Sequence, residues 1–322
     1  MLSARPVARN VPLAPLTRFG VGGPADFLFE TPSEDEFIAV LRAVRASGQA
    51  FAVLGGGTNI IVSDAGFRGW ILRFTGAGIC SQGLNVTAQA GAELGALVEY
   101  TVDRGLKGLE TLAGVPGWVG AAVYGNAGAY GHSISERVER VRFFDGCGVR
   151  EIGNAECEFR YRESIFKRHR DWVILSATFS MIPGDAAELR RTVKEILDIR
   201  NQKFPPTMKC AGSIFKNLLA ADLPADVLAQ TPPEVVREGK IPAAYFLEQV
   251  GAKGLTCGGM RVADYHANLI YNAGGGTAAE LHQLVSKLKE RVRARFGIEL
   301  EEEVQYLGEF PEQPLNACGS GC

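Results

Sequence analysis

The sequence predicts an α+β protein in two parts, a glycine-rich unit over residues 1–204 and a smaller unit over 207–310. Three observations carry this. Apolar residues recur at helical spacing in some segments and form short strand-like runs in others, on both sides of the midpoint. Pro205-Pro206 ends a long helical pattern, and the texture of the chain changes there. The glycines are uneven: 22 of the 39 fall in residues 1–131.

The elements follow in order. Ser33 caps a predicted helix, with Glu36 placed to complete a capping box; Phe37, Leu41 and Val44 form its apolar stripe and Gly48 stops it. Phe51 to Leu54 reads as a short buried strand running into Gly55-Gly56-Gly57. Trp70 to Phe74 and Leu84 to Ala90 read as strands, and Leu94 to Asp103 as a helix stopped by Gly105. Asp145-Gly146 signals a turn between strands at Val138–Phe144 and Gly148–Ile152. Trp172 to Met181 is a predicted strand and Asp185 to Arg200 a helix. In the second part, Pro242 to Val250 reads as a short helix with proline first and Gly251 after it. Thr277 and Glu280 form a capping box for a helix with a full apolar stripe from Leu281 to Phe296, stopped by Gly297. Leu300 to Leu307 is the last predicted strand.

Composition excludes several classes. With 322 residues, 46% hydrophobic and 22% charged, the chain has the make-up of a folded protein and the length of two or three domains. Its glycines have no triplet period, so it is not collagen. Net charge is -2, which argues against a general nucleic-acid binder. No unbroken apolar run of membrane-spanning length and no signal peptide is read, so a cytoplasmic protein is expected. The seven cysteines are scattered without a CxxC pair and read as reduced thiols. The four histidines, at 132, 169, 266 and 282, have no metal-ligand spacing, so no metal is expected.

Six segments could carry chemistry. Gly55-Gly56-Gly57-Thr58-Asn59 follows a strand, and its backbone could meet an anion closely; such turns are as often purely structural. Gly114 to Gly131 packs six glycines and Asn126 into 18 residues. A diphosphate lying on the backbone, or tight loop packing, would each explain that choice. Neither G-x-G-x-x-G nor G-x-x-x-x-G-K-[ST] occurs in the context those motifs need. In Phe159-Arg160-Tyr161-Arg162, the two arginines would share a face if the segment is extended, or line a solvated strand edge. Residues 160–216 hold twelve cations against six anions, a zone suited to a small polyanion, although Arg190, Arg191 and Lys194 read as a solvated helix face. Gly212-Ser213-Ile214-Phe215-Lys216-Asn217 presents a serine with no nucleophile elbow and no histidine partner. In Glu301-Glu302-Glu303-Val304, alternation would set Glu302 opposite the other two.

The order of these pieces resembles the UDP-N-acetylenolpyruvoylglucosamine reductase (MurB) family. The resemblance runs from Leu16–Gly23 through GGGTN, GVPG…NAGAYG, Phe159-x-Tyr161-Arg162-x-Ser164, Ile199–Pro205 and GS-x-FKN to Glu301–Gly308. It implies an FAD-binding PCMH-type fold: subdomains at 1–76 and 77–204, a C-terminal substrate-binding domain at 205–310 and a flexible tail at 311–322. It also implies non-covalent FAD, NADPH as hydride donor and UDP-GlcNAc-enolpyruvate as substrate, in a cytoplasmic monomer of peptidoglycan precursor synthesis. FAD contacts would be Gly55, Gly56, Gly57, Thr58, Asn59, Gly114, Pro116, Gly117, Gly120, Ala121, Asn126, Gly128 and Ala129. Arg162 would pair the substrate carboxylate and steady an enolate, Glu303 would polarise the same end, and Ser213 would donate the proton. Tyr161, Arg200, Lys203, Lys216, Asn217 and His266 match substrate-binding positions. Trp118 stands where the family has a small residue, and Leu219 to Ile241 looks like an insertion. The chain lacks the family's long insertion after Met181, so it resembles the subtype without a tyrosine loop. An FAD-dependent oxidase of the same fold would want a histidine tether, for which only His132 lies near the glycine segments. A non-catalytic nucleotide-sugar binder would keep the basic zone but would not need the glycines.

Overall fold

The structure, a computed structural model, describes residues 6–310. The expected flexible tail at 311–322 lies outside the described residues. Contacts divide the chain into two units. Unit one comprises Met1–Val11, Ala25–Gly57 and Arg68–Pro206; unit two comprises Pro12–Pro24, Thr58–Phe67 and Thr207–Cys322. The division expected near residue 204 is therefore one of five crossings. Two early segments, 12–24 and 58–67, group with the later part of the chain.

Besides the two-stranded pairs Gly128–Ala129 with His132–Ser133 and Leu106–Lys107 with Ile182–Pro183, unit one contains two larger sheets. The first has the order Ala8–Pro12, Pro24–Thr31, Phe67–Phe74, Phe51–Val53, the last pair parallel. The second is antiparallel, in the order Val149–Gly153, Val138–Phe144, Val173–Ser180, Asn85–Gln89, Ile79–Gln82. The first sheet ends at residue 74 and the second begins at 79, and both group in one unit. Helices α1 (Glu34–Ala46), α2 (Leu94–Asp103), α3 (Val119–Tyr124), α4 (Ile165–Arg168) and α5 (Ala186–Lys203) surround the sheets' apolar faces. Phe37, Leu41, Leu72, Leu97, Phe143, Phe166 and Phe179 are among the buried residues of the resulting core.

Local chemistry explains these elements. Ser33 accepts the Glu36 amide at the start of α1, and Thr31 joins the cap by accepting from Ser33 N–H and bonding Glu36. At the predicted turn, the Asp145 carboxylate accepts from the amides of Cys147 and Gly148 and from Arg150. These bonds hold its pKa down at about 2, and they close the loop joining Val138–Phe144 to Val149–Gly153.

Unit two has a three-stranded antiparallel sheet, Thr256–Cys257, Met260–Ala263 and His266–Asn272. A parallel pair joins Ile60–Val62 to Gln305–Leu307. Its helices are α6 (Ala225–Gln230), α7 (Ala243–Gln249) and α8 (Ala278–Phe296). The Thr277–Glu280 capping box forms, and Asp64 adds to it by accepting the amides of Ala278 and Ala279 at 2.9 and 2.8 Å. A carboxylate placed there meets both the unpaired N–H groups and the positive end of the helix dipole.

The last predicted strand is shorter than expected. Only Gln305–Leu307 is regular; before it, Glu302 makes an isolated bridge to Phe215. The 219–241 segment folds back on itself, with Leu218 and Leu219 paired to Ile241 and Lys240. Cys80, Cys147, Cys157 and Cys210 are free thiols, and burial pushes Cys157 up to about 12. Cys257 is disulfide-bonded, which corrects the reading of every cysteine as a reduced thiol.

Candidate active site

In unit one the two glycine segments meet. A Cβ on Gly56 would lie 3.2 Å from Trp118 Cδ1 and 3.5 Å from Gly117 Cα, and one on Gly55 would lie 3.7 Å from Ala121 Cβ. Gly117 has φ +123°, a conformation that only glycine adopts freely. Among the described residues, the amides of Gly55, Gly56 and Gly57 donate no hydrogen bond, and Gly57 is buried. Three consecutive unpaired amides in a glycine turn form an anion-binding concavity. A buried N–H without a partner is costly, so an acceptor oxygen of a ligand would satisfy the Gly57 amide. The residues here therefore fit a dinucleotide diphosphate.

Trp118, unexplained by sequence, covers this turn. The Arg73 guanidinium stacks over the indole at 4.8 Å, donates to the Gly55 carbonyl at 3.3 Å and pairs with Glu30. The indole crowds the space a side chain at 56 would enter, while a Cβ at 55 would meet it at ordinary contact distance. Gly120 has a different reason for its small size. Its amide donates to Ala90 O at 2.9 Å, and a Cβ there would sit 2.8 Å from Ala90 Cβ. The amide of Val119 is likewise spent on Ala92 O.

A second cluster in unit one gathers around Arg162. Arg160 and Glu163 exchange both backbone hydrogen bonds, so Tyr161 and Arg162 occupy the two central positions of a tight turn. Arg160 and Arg162 therefore do not share one face of an extended segment. Arg162 takes φ +58°, a position that glycine usually fills, at a cost on the order of 1–2 kcal/mol. Its guanidinium donates to Gly128 O at 3.1 Å and lies 5.3 Å over the Tyr161 ring. A Cβ at Gly128 would come within 2.7 Å of His132 O and 3.3 Å of Arg162 Nη1, so the close approach of the His132 backbone requires glycine there. Gly128–Ala129 pairs with His132–Ser133. Asn126 is buried: its Nδ2 donates to Arg160 O at 2.8 Å and its Oδ1 accepts from Ser135. Asn126 thus ties the glycine loop to the Tyr161–Arg162 turn. The Lys167 ammonium donates to Arg162 O at 2.6 Å.

A third group lies at the end of α5. The Cβ of a residue at 114 would lie 3.1 Å from Arg200 Cδ, so Gly114 gives Arg200 its place. Arg200 and Lys203 both flank the Phe204 ring. Burial, and then the neighbouring Arg200 charge, lower the Lys203 pKa.

In unit two, Ser213 bridges Leu269 on one side of its strand-like segment, and the next residues bond 301–303 on the other. Glu303 N–H donates to Ile214 O at 2.7 Å and Lys216 N–H to Glu301 O at 2.9 Å. Ser213 and Glu303 are thereby brought onto neighbouring segments. Asn268, only 2% exposed, bonds both Phe215 backbone groups at 2.9 Å. Sequence reasoning missed it, because nothing local marks an asparagine that serves a strand 53 residues away.

The three consecutive glutamates divide their roles. Glu301 pairs with Lys216. Glu302 pairs with Lys289 at 2.9 Å and accepts from Tyr306 OH, whose pKa is raised by burial and by that carboxylate. Glu303 has its backbone fixed by Ile214 and by Asn59, whose Nδ2 donates to Glu303 O at 2.9 Å. Asn217 Oδ1 accepts the Ala243 amide at the start of α7. His266 opens the strand His266–Asn272, opposite Ala263. Among the described residues no group of three or more His, Cys, Asp or Glu could hold a metal, and no helix is long and apolar enough to cross a membrane.

Comparison with known proteins defines the class first. Residues 25–152 match the FAD binding domain model, so the unit with the unpaired glycine amides belongs to a flavin-binding class. Residues 204–307 match the C-terminal domain of UDP-N-acetylenolpyruvoylglucosamine reductase. The chain belongs to that reductase family. It is 64% identical to the UDP-N-acetylenolpyruvoylglucosamine reductase of Solibacter usitatus, over 94% of this chain and 97% of the relative. It is 38% identical to that of Carboxydothermus hydrogenoformans, over 94% and 95%. The MurB crystal structure from Thermus caldophilus matches with a TM-score of 0.72 at 28% identity, covering 94% of this chain and 99% of that one.

Proposed function

We infer that this chain is a UDP-N-acetylenolpyruvoylglucosamine reductase, an FAD-dependent oxidoreductase that uses NADPH to make UDP-N-acetylmuramate for peptidoglycan precursor synthesis. The single observation that carries this reading is 64% identity to a reductase of that name across nearly both full chains. The unpaired amides of Gly55, Gly56 and Gly57 support FAD as the cofactor. Held there, FAD would supply the redox chemistry, passing a hydride from NADPH to the enolpyruvyl double bond.

The chain's own residues account for the rest of the chemistry. Gly55–Gly57, Thr58, Gly117 and Ala121 hold the cofactor. Arg162 pairs the substrate carboxylate, and its fixed positive charge offsets the negative charge that develops as the double bond is reduced. Its strained turn, anchored by Asn126 and Lys167, supports that role, since strain of this kind persists where surrounding bonds over-determine it. Glu303 polarises the same carboxylate end. Ser213 Oγ gives its proton to the carbon beside the carboxylate. A hydroxyl is a weak acid, but an enolate is a strong base, so placement matters more than acidity. Tyr161, Arg200, Lys203, Lys216, Asn217 and His266 serve the nucleotide-sugar. The enzyme works in the cytoplasm as a monomer, without nucleic acid or membrane insertion.

The test is direct. The purified protein is expected to be yellow, to release flavin on acid treatment, and to oxidise NADPH in a manner dependent on UDP-GlcNAc-enolpyruvate. A colourless protein, or NADPH oxidation indifferent to that substrate, would overturn the reading.

A further inference from the structure

By sequence, Asn59 belongs to the glycine turn expected to hold FAD, yet its bonds lead elsewhere. The boundary between the two units falls inside this motif: Gly57 groups with unit one, and Thr58 and Asn59 with unit two. Within unit two, Asn59 Nδ2 donates to Glu303 O at 2.9 Å. The Asn59 carbonyl accepts the Gln305 N–H at 3.1 Å. One residue therefore holds the final segment of the site at two points, on either side of Val304.

The other side of that segment is held by the serine strand, through the 2.7 Å bond from Glu303 N–H to Ile214 O. Both polar groups of the Glu303 main chain are thus fixed. This matters because regular pairing begins only at Gln305. No ladder spans Glu303 to fix it, and the Asn59 amide takes the place of a strand neighbour. Fixing both peptide groups around a residue fixes the direction of its Cα–Cβ bond, and with it the reach of the carboxyl.

We propose that Asn59 is a positioning residue for Glu303, aiming its carboxyl through the main chain. This rests on the reading of Glu303 as the group that polarises the substrate carboxylate. The glycine motif then has two duties: its glycines serve the cofactor, and its asparagine serves the reductive step.

Stopped-flow kinetics on flavin-loaded enzyme tests this. In Asn59→Ala, the limiting rate of flavin reoxidation by UDP-GlcNAc-enolpyruvate is expected to fall about 10- to 100-fold, the scale of a misplaced catalytic group. Flavin content, flavin reduction by NADPH and the half-saturating substrate concentration are each expected to stay within about twofold. Asn59→Asp, which keeps the shape but cannot donate, is expected to behave alike, and serves if the alanine variant folds poorly. In a Glu303→Gln background, Asn59→Ala is expected to add less than about twofold, because the two act as one unit. Flavin loss with unchanged reoxidation per bound flavin would overturn the proposal and make Asn59 a cofactor ligand. A full effect retained in the Glu303→Gln background would overturn it as well. If Glu303→Gln alone leaves reoxidation intact, the reading of Glu303 fails instead.

Discussion

The two units differ in how far they rely on side chains. Unit one leans on absence: glycines at 55, 56 and 57 leave amides bare, although Asn126 and Lys167 fix the Arg162 turn. Unit two uses presence. Asn59, Asn268, Asp64 and Glu302 spend side-chain groups on fixing backbone or neighbouring charges. The difference follows from what each must hold. A large dinucleotide can be met by main chain. On the function proposed above, Ser213 and Glu303 would each have to be aimed individually, and aiming takes side chains with defined bond directions.

The largest expected effect separates the two units chemically. Ser213→Ala should slow flavin reoxidation by the enolpyruvyl substrate on the order of 10³-fold, while reduction by NADPH stays within about twofold. Equal loss in both half-reactions would erase the division. Next in size is Asn268→Leu, which leaves the buried N–H and C=O of Phe215 without partners. It should cost about 3 kcal/mol, read as a lower denaturation midpoint. A midpoint within error of the parent would show that water replaces the amide. Gly56→Val tests the cradle of unit one, since its side chain would press on Trp118. About a tenfold weaker flavin affinity is expected, equivalent to about 1.4 kcal/mol, and Trp118→Ala in the same chain should restore part of it. The smallest effect concerns Lys203. Because burial lowers its pKa, its charge is lost at lower pH than an ordinary lysine's. The KM for the nucleotide-sugar should therefore rise at a lower pH than the titration of an ordinary lysine would give. Lys203→Arg, which keeps its charge, should move that rise upward; a profile unchanged by the substitution would remove Lys203 from substrate binding.

Legibility in the sequence followed the range of the bonds involved. The helices at 34–46, 94–103 and 278–296 were readable because caps and stripes are local patterns. The glycine segments were readable as a cluster, and the structure adds that they meet. The turn at Tyr161–Arg162 is not legible, because a positive φ at arginine leaves no mark in composition; the shared arginine face held only if the segment were extended. The segment 300–304 was read as strand because it alternates, whereas its bonds are single bridges to 214–216. The bond from Asn59 to Glu303 crosses 244 positions, and no local rule reaches that far.

The chain passes between its two units at 11/12, 24/25, 57/58, 67/68 and 206/207. Neither unit is therefore a portable cassette. A fragment begun at residue 205 would keep Ser213 and Glu303 but lose Ile60–Val62, the parallel partner of Gln305–Leu307, together with Asn59 and Asp64. It would display an unmatched strand edge, an invitation to aggregate, and an α8 N-terminus held by its Thr277–Glu280 box alone. End-to-end exchange at a single junction would thus divide both units, and each can be moved whole only with the other.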